Sequence, residues 1–222
     1  MGGGGFHADP HSPLDDFVLS LSSAKRPRIC FLPTPSGDSN EAIAAFFEAF
    51  AGRDCEPSCL RLFGTPDEPL MHLASQDVVY VCGGNTANAL AIWRVHGVDV
   101  ALREAWQRGA VLGGPSAGAN CWFECSVTDS FGADLAPLHD GLGLLAGSFC
   151  PHYDGEGLRR PRYRELVDDG FPPGYAADDD AAFHFVGSEL REVVSARAGA
   201  AGYRVEPGAE RPLKARSLMA AS

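Results

Sequence analysis

Val111-Leu-Gly-Gly-Pro-Ser-Ala-Gly-Ala-Asn120 is the stretch on which the reading of this chain turns. It has the pattern of a strand end, a Gly-x-Ser-x-Gly turn from Gly114 to Gly118, and the start of a helix. Ser116 is then at the tip of the turn, in backbone geometry that only small neighbours tolerate, with its hydroxyl lifted out of the sheet as a nucleophile's would be. The N–H groups of Ala117 and Gly118 open the helix and point to where negative charge would form beside Ser116. The same pentapeptide also describes an ordinary strand-to-helix turn, so its chemistry depends on what surrounds it.

Outward from this turn, strand-like and helix-like segments alternate. Ile29–Pro33 and Val78–Cys82 are apolar runs of the kind buried on both faces in a parallel sheet, and Ser58–Phe63 is a further strand. Helices are expected at Asp15–Leu21, at Glu41–Ala51 with Ser39 or Asn40 as its cap, from Pro66 to Ser75, around Leu90 to Trp93, and over Val98–Arg108. In the second helix Ile43, Phe46, Phe47 and Phe50 form the apolar stripe. This alternation predicts an α/β fold with a mostly parallel sheet. Gly83-Gly-Asn-Thr86 follows a strand directly, so two glycines let the backbone approach a ligand on the crossover next to Ser116.

Beyond the turn, the helix is expected to continue through Asn120-Cys-Trp-Phe-Glu124, with Ser126–Phe131 as polar strand or loop. Leu142–Cys150 is a strand that ends in Pro151-His152-Tyr153-Asp154, which puts His152 on the serine's edge if that strand is parallel. Arg159, Arg160, Arg162 and Arg164 crowd the start of a helix, where the dipole disfavours cations; such a cluster can meet an anion or pair with nearby acids. Gly174 to Phe183 reads as strand, acidic turn, strand. Arg191–Ser195 and Gly202–Glu206 read as a last hairpin, and the end from about residue 207 is poorly patterned.

With 222 residues and 45% hydrophobic content, the chain is sized for a single domain, residues 1–222. A formal charge of -11 argues against a nucleic-acid or polybasic membrane surface. Seven cysteines, several of them inside apolar runs, read as buried thiols in a reducing, cytoplasmic setting. Neither the pairs Cys55/Cys59 and Cys121/Cys125 nor His139, His152, Asp154 and the 178–180 aspartates show zinc-ligand spacing, so no metal or other cofactor is expected. There is no apolar run of membrane-spanning length.

Gly83-Gly-Asn-Thr86, Gly114-Pro-Ser-Ala-Gly-Ala-Asn120, the His152 strand end and Tyr175-Ala-Ala-Asp-Asp179 together resemble peptidase family S51, which includes peptidase E and cyanophycinase, over residues 28 to about 206. The glycine-rich start is similar to that of short peptidase E relatives. The resemblance implies a three-layer sandwich related to class I glutamine amidotransferases. It also implies a triad of Ser116 as nucleophile, His152 as general base and an acid in Asp178-Asp179-Asp180, with Asp179 best matching the family's Asp-acid-x-x-Ala turn. Asp154, two residues after His152 as in amidotransferases, and Asp129, in the order of an α/β-hydrolase, are rival acids. The family usually carries Glu at the acid position. Gly84 and Ala117 would form the oxyanion hole, and Asn85 and Arg159, with Arg162 beside it, would contact a short, N-terminal-aspartate peptide. The alternatives are an amide hydrolase of the same fold acting on a non-peptide substrate, and a quiet member that binds a small acidic ligand. The expected protein is a monomer or homodimer.

Overall fold

The structure, a computed structural model, describes residues 1–64 and 68–219. It comprises two compact units, Gly5–Gly118 and a second formed by Met1–Gly4 with the chain from Ala119 onward.

In the first unit, α1 (Pro13–Ser20) leads to β1 (Arg28–Leu32), followed by α2 (Asn40–Phe50), β2 (Glu56–Cys59), α3 (Pro69–Ala74), β3 (Val78–Val81), α4 (Thr86–His96), α5 (Val98–Gln107) and β4 (Val111–Gly113). The strands are all parallel, in the order β2-β1-β3-β4, with Ile29 opposite Val78 and Tyr80 opposite Gly113. Every residue of β3 is buried, as its continuous apolar run requires of a strand covered on both faces. Ser39 Oγ accepts the Ala42 N–H at 3.3 Å and caps α2. Ile43, Phe46, Ala49 and Phe50 form the buried side of that helix, and Phe31 stacks on Phe46 with ring centroids 4.6 Å apart. Phe47 is 38% exposed, so it lies outside the stripe predicted for it. Phe6 is 3% exposed and packs among Phe31, Phe46, Phe50 and Tyr80. The residue just after the glycine tract is therefore a core residue. The helix expected from Pro66 begins at Pro69; Pro66 and Asp67 lie outside the described residues.

From the serine turn onward, the elements are α6 (Ala117–Asn120), β5 (Phe123–Thr128), β6 (Ala136–Leu138), β7 (Leu145–Cys150), α7 (Arg159–Asp168), β8 (Gly174–Ala177), β9 (Ala181–Val186), β10 (Glu189–Ser195), β11 (Gly202–Glu206), β12 (Ala209–Leu213) and β13 (Ala215–Ser217). Six strands form one sheet in the order β12-β11-β8-β7-β5-β6, with β8, β7 and β5 parallel at its centre and antiparallel strands at its flanks. The fold is thus α/β with parallel central strands. Tyr163 and Val167 of α7 are fully buried against this sheet with Cys150, Tyr153 and Val205, and the Tyr163 hydroxyl is 2.6 Å from Ser148 Oγ.

Two local expectations are corrected. The helix after Ser116 stops at Asn120, and residues 123–128, expected to begin as helix, are strand β5. The last hairpin is not Arg191–Ser195 with Gly202–Glu206: β10 pairs with β9 and β13, while β11 pairs with β8 and β12. The stretch beyond Pro207 supplies β12, so it is the second arm of a hairpin.

Candidate active site

The Ser116 turn is built by close approach of backbone to backbone. A Cβ on Gly114 would lie 2.0 Å from the Val81 carbonyl oxygen and one on Gly118 2.2 Å from it, so the turn rides on the end of β3 only because both positions lack side chains. Ser116 is left-handed, with φ 56°, and half-buried. The Gly118 N–H donates to Pro115 O at 2.9 Å and holds the turn closed, so it is engaged and not free to be the oxyanion donor that the sequence suggested.

Because β3 and β4 are neighbours, the turns that follow them lie side by side. A Cβ on Gly83 would be 3.6 Å from Ser116 Cβ. Gly84 has φ 133° and sits against Pro35 O, to which the Asn85 N–H donates at 2.8 Å. The Asn85 side-chain oxygen accepts the Asn88 N–H at 2.8 Å and caps α4, so a structural task is already attached to this substrate-binding candidate.

In the second unit, β7 and β8 are paired in parallel, with Cys150 opposite Ala176. The residues just past their ends therefore emerge at one edge, and these are His152 and Asp179. The His152 Nδ1 lies 2.7 Å from Asp179 Oδ1, with 23% and 35% of the two side chains exposed. His152 is left-handed, with φ 53°, as is Asp180 next to the carboxylate, with φ 63°.

Of the rival acids, neither occupies the position at His152 Nδ1. Asp154 Oδ1 accepts the Asp179 N–H at 2.9 Å, and its other oxygen meets Arg197 at 2.5 Å. Burial opposes its charged form, but the Asp179 N–H and the Arg197 guanidinium outweigh that and hold its carboxyl below the usual range. Asp129 is 59% exposed at its side chain and 3.9 Å from Arg159.

The glycine tract is also part of this edge. Gly3 forms a parallel bridge with Asp179, the Gly2 N–H donates to Ala181 O at 2.9 Å, and a Cβ on Gly3 would fall 2.2 Å from Asp179 Oδ1 and 2.9 Å from His152 Nδ1. The sequence likened the tract to the start of short peptidase E relatives without revealing this role.

Arg159 is 2% exposed, and its guanidinium reaches Glu156 at 2.7 Å and the Val127 carbonyl at 3.2 Å. This arrangement ties the start of α7 to β5 and engages the fork that substrate binding would need. Arg160 pairs with Glu210 and lies over the rings of Tyr153 and Tyr203, while Arg162 bonds Glu165 and the Leu135 carbonyl. Arg197, which the sequence reading did not single out, is the arginine beside Asp179. None of the seven cysteines is in a disulfide, and burial pushes the Cys59 and Cys82 thiols up to about 11 and Cys150 up to about 12, as expected of packing residues. Among the described residues no helix is long and apolar enough to cross a membrane, and no group of three or more His, Cys, Asp or Glu side chains is arranged to hold a metal ion.

The fold is the peptidase E type. It is shared with the crystal structure of a peptidase from an acI-B1 Actinobacterium, with a TM-score of 0.72 at 17% identity over 97% of this chain and 92% of that one. It is shared too with a putative peptidase E protein from Listeria monocytogenes EGD-e, with a TM-score of 0.62 at 19% identity over 84% and 94%. The family model for peptidase family S51 matches residues 1–193, and an uncharacterized peptidase, YgaJ, of Bacillus subtilis (strain 168) is 53% identical over 208 residues, 92% of this chain and 90% of that protein. The chain belongs to peptidase family S51 and is by family a peptidase.

Proposed function

We propose that the protein is a serine-type peptidase that cleaves short peptides through Ser116, His152 and Asp179. The observation that carries the proposal is the 2.7 Å contact between His152 Nδ1 and Asp179 Oδ1, because a carboxylate there fixes the imidazole tautomer whose Nε2 can accept a proton. In this reading Nε2 takes the hydroxyl proton as Ser116 Oγ attacks the scissile carbonyl carbon, and Asp179 stabilises the imidazolium. The tetrahedral intermediate collapses, the leaving amine takes that proton, and an acyl-serine remains for water to hydrolyse with His152 again as base. The N–H groups of Gly84 and Ala117 are the proposed donors to the oxyanion, each worth about 3 kcal/mol of barrier where such donors have been removed from other enzymes.

The burial of Arg159 withdraws the cation on which a preference for N-terminal aspartate rested, so the proposal covers short peptides without a side-chain requirement. Seven cysteines without a disulfide among them fit a reducing, cytoplasmic setting. The test is fluorophosphonate labelling alongside a dipeptide-library screen. Ser116→Ala should abolish both labelling and turnover with little change in Tm, and Cys121→Ser should leave both intact. Turnover by Ser116→Ala would remove the serine from the mechanism. Labelling with no dipeptide cleaved would favour an amide hydrolase with a non-peptide substrate.

A further inference from the structure

Both polar groups of the Asp179 backbone are held by one ion pair. Its N–H donates to Asp154 Oδ1 at 2.9 Å, its carbonyl accepts from Arg197 Nη2 at 2.9 Å, and that same Nη2 meets Asp154 Oδ2 at 2.5 Å. Arg197 Nε also lies 3.5 Å from Asp180 Oδ2, so one guanidinium is shared by two carboxylates and the carbonyl of the residue between them in space. These contacts join the turn after β7, the turn after β8 and the loop after β10, which are 43 residues apart in sequence between Asp154 and Arg197.

We propose that Asp154 and Arg197 form a clamp on the Asp179 peptide unit, and that Arg197 is thereby a positioning residue for the His152–Asp179 pair. The inference rests on the serine-peptidase reading for its consequence in catalysis, but not for its geometry. An exposed ion pair by itself contributes little to stability, and 43% of the Arg197 side chain is exposed. What distinguishes this pair is its target. Asp178, Asp179 and Asp180 are consecutive acids that repel one another in a tight turn, and Asp180 is left-handed. A cation that binds the carbonyl of Asp179 and the carboxylates of Asp154 and Asp180 opposes that repulsion and fixes the direction in which the Asp179 side chain leaves the backbone. The planar fork of arginine can make these bonds together, whereas a lysine ammonium is a point charge that cannot reproduce the fork. A displacement of about 1 Å in a positioned catalytic group can lower the rate by as much as 10²-fold.

The test uses the intact protein and two readouts. The first is the pH-controlled kinetics of labelling by a fluorophosphonate probe, separated into kinact and KI. The second is the downfield imidazole N–H proton resonance of His152, which reports its hydrogen bond to Asp179 whether or not Ser116 is the nucleophile. Arg197→Ala should lower kinact roughly 10- to 100-fold with KI within about 2-fold, and broaden or remove the resonance, with guanidinium chloride at millimolar levels restoring part of both. Arg197→Lys should fall between. Arg216→Ala, which removes an exposed pair with Glu192 elsewhere in the same unit, should change neither. Wild-type kinact and an intact resonance in Arg197→Ala would overturn the clamp. So would a loss that guanidinium does not relieve and that tracks a global fall in Tm. If Ser116→Ala were still labelled, the serine-peptidase reading would fail while the resonance would still decide the clamp.

Discussion

His152 and Asp179 meet at 2.7 Å because the parallel strands that precede them end in register, Cys150 beside Ala176, and each is followed at once by a turn. This makes the contribution of the carboxylates separable. Asp179→Asn should lower turnover by about 10²- to 10⁴-fold, since an amide carries no charge to stabilise imidazolium and can favour the wrong tautomer. Asp154→Asn should cost much less, because its amide oxygen can still accept the Asp179 N–H, and Asp129→Asn should be silent. Steady-state kinetics on the three variants decides the order; a larger loss for Asp154→Asn would return the role of acid to that residue.

A side chain at position 3 has no space except that of the His152–Asp179 contact, with Asp179 Oδ1 only 2.2 Å from where a Cβ would be. Gly3→Ala should therefore reduce kcat by about 10²-fold, the scale of a misplaced catalytic group, while KM moves little. Gly157→Ala, whose Cβ would meet nothing within 4 Å, is the matched control. Full activity in Gly3→Ala would mean that the tract bends away at no cost.

Stability should carry the signature of Asp15. This residue is fully buried, its Oδ1 accepts the Tyr80 hydroxyl at 2.8 Å, and its Oδ2 has no hydrogen-bond partner, with Arg53 Nη2 3.9 Å away. Burial raises its pKa from 3.8 to about 6, against the lowering effects of Tyr80 and Arg53. The folded state thus binds this proton more tightly than the unfolded chain. Its contribution is fully present below about pH 4 and is lost as the pH rises through about 6, a span worth about 3 kcal/mol. Urea denaturation between pH 4 and 8 should show this falling limb, and Asp15→Asn should flatten it and be the more stable protein at pH 7. A variant less stable than wild type at pH 7 would contradict the assignment.

Arg159→Ala should act on stability and not on substrate choice. Losing the buried bond to the Val127 carbonyl, worth about 1.5–3 kcal/mol, and the partly exposed pair with Glu156, worth less, should lower Tm by several degrees. Acidic and neutral dipeptides should be affected alike. A selective loss on acidic peptides would put Arg159 back in contact with substrate.

What could be read from the residues was whatever local pattern encodes. The apolar runs of β1 and β3 gave parallel strands and the glycines around Ser116 gave its turn, while the pairing of His152 with Asp179 was implied by the resemblance to peptidase family S51. What was missed depends on pairing between distant segments. Cys121-Trp122-Phe123 suits a helix or a strand equally, and the pairing of β5 with β7 and β6 decided it. Nothing local tells β10 to choose β9 over β11. Arg197 stands in a loop with no pattern of its own, and its meaning comes from the peptide unit it touches 18 residues earlier. The burial of Arg159 did leave a trace, in Glu156 three residues before it, but helical salt pairs are common enough to hide it.

Among the described residues, five other than glycine adopt left-handed backbone, and three of them are Ser116, His152 and Asp180. For such residues that conformation costs roughly 1–2 kcal/mol each, a cost glycine would not incur. Heat resistance and chemistry therefore select for different amino acids at these positions. A library of this chain selected only for survival at high temperature should accumulate Gly or Asn at 116, 152 and 180, and the hardiest survivors should be inert. Directed evolution of a more durable peptidase from this scaffold has to look for its gains elsewhere, with Asp15 as the first place to start.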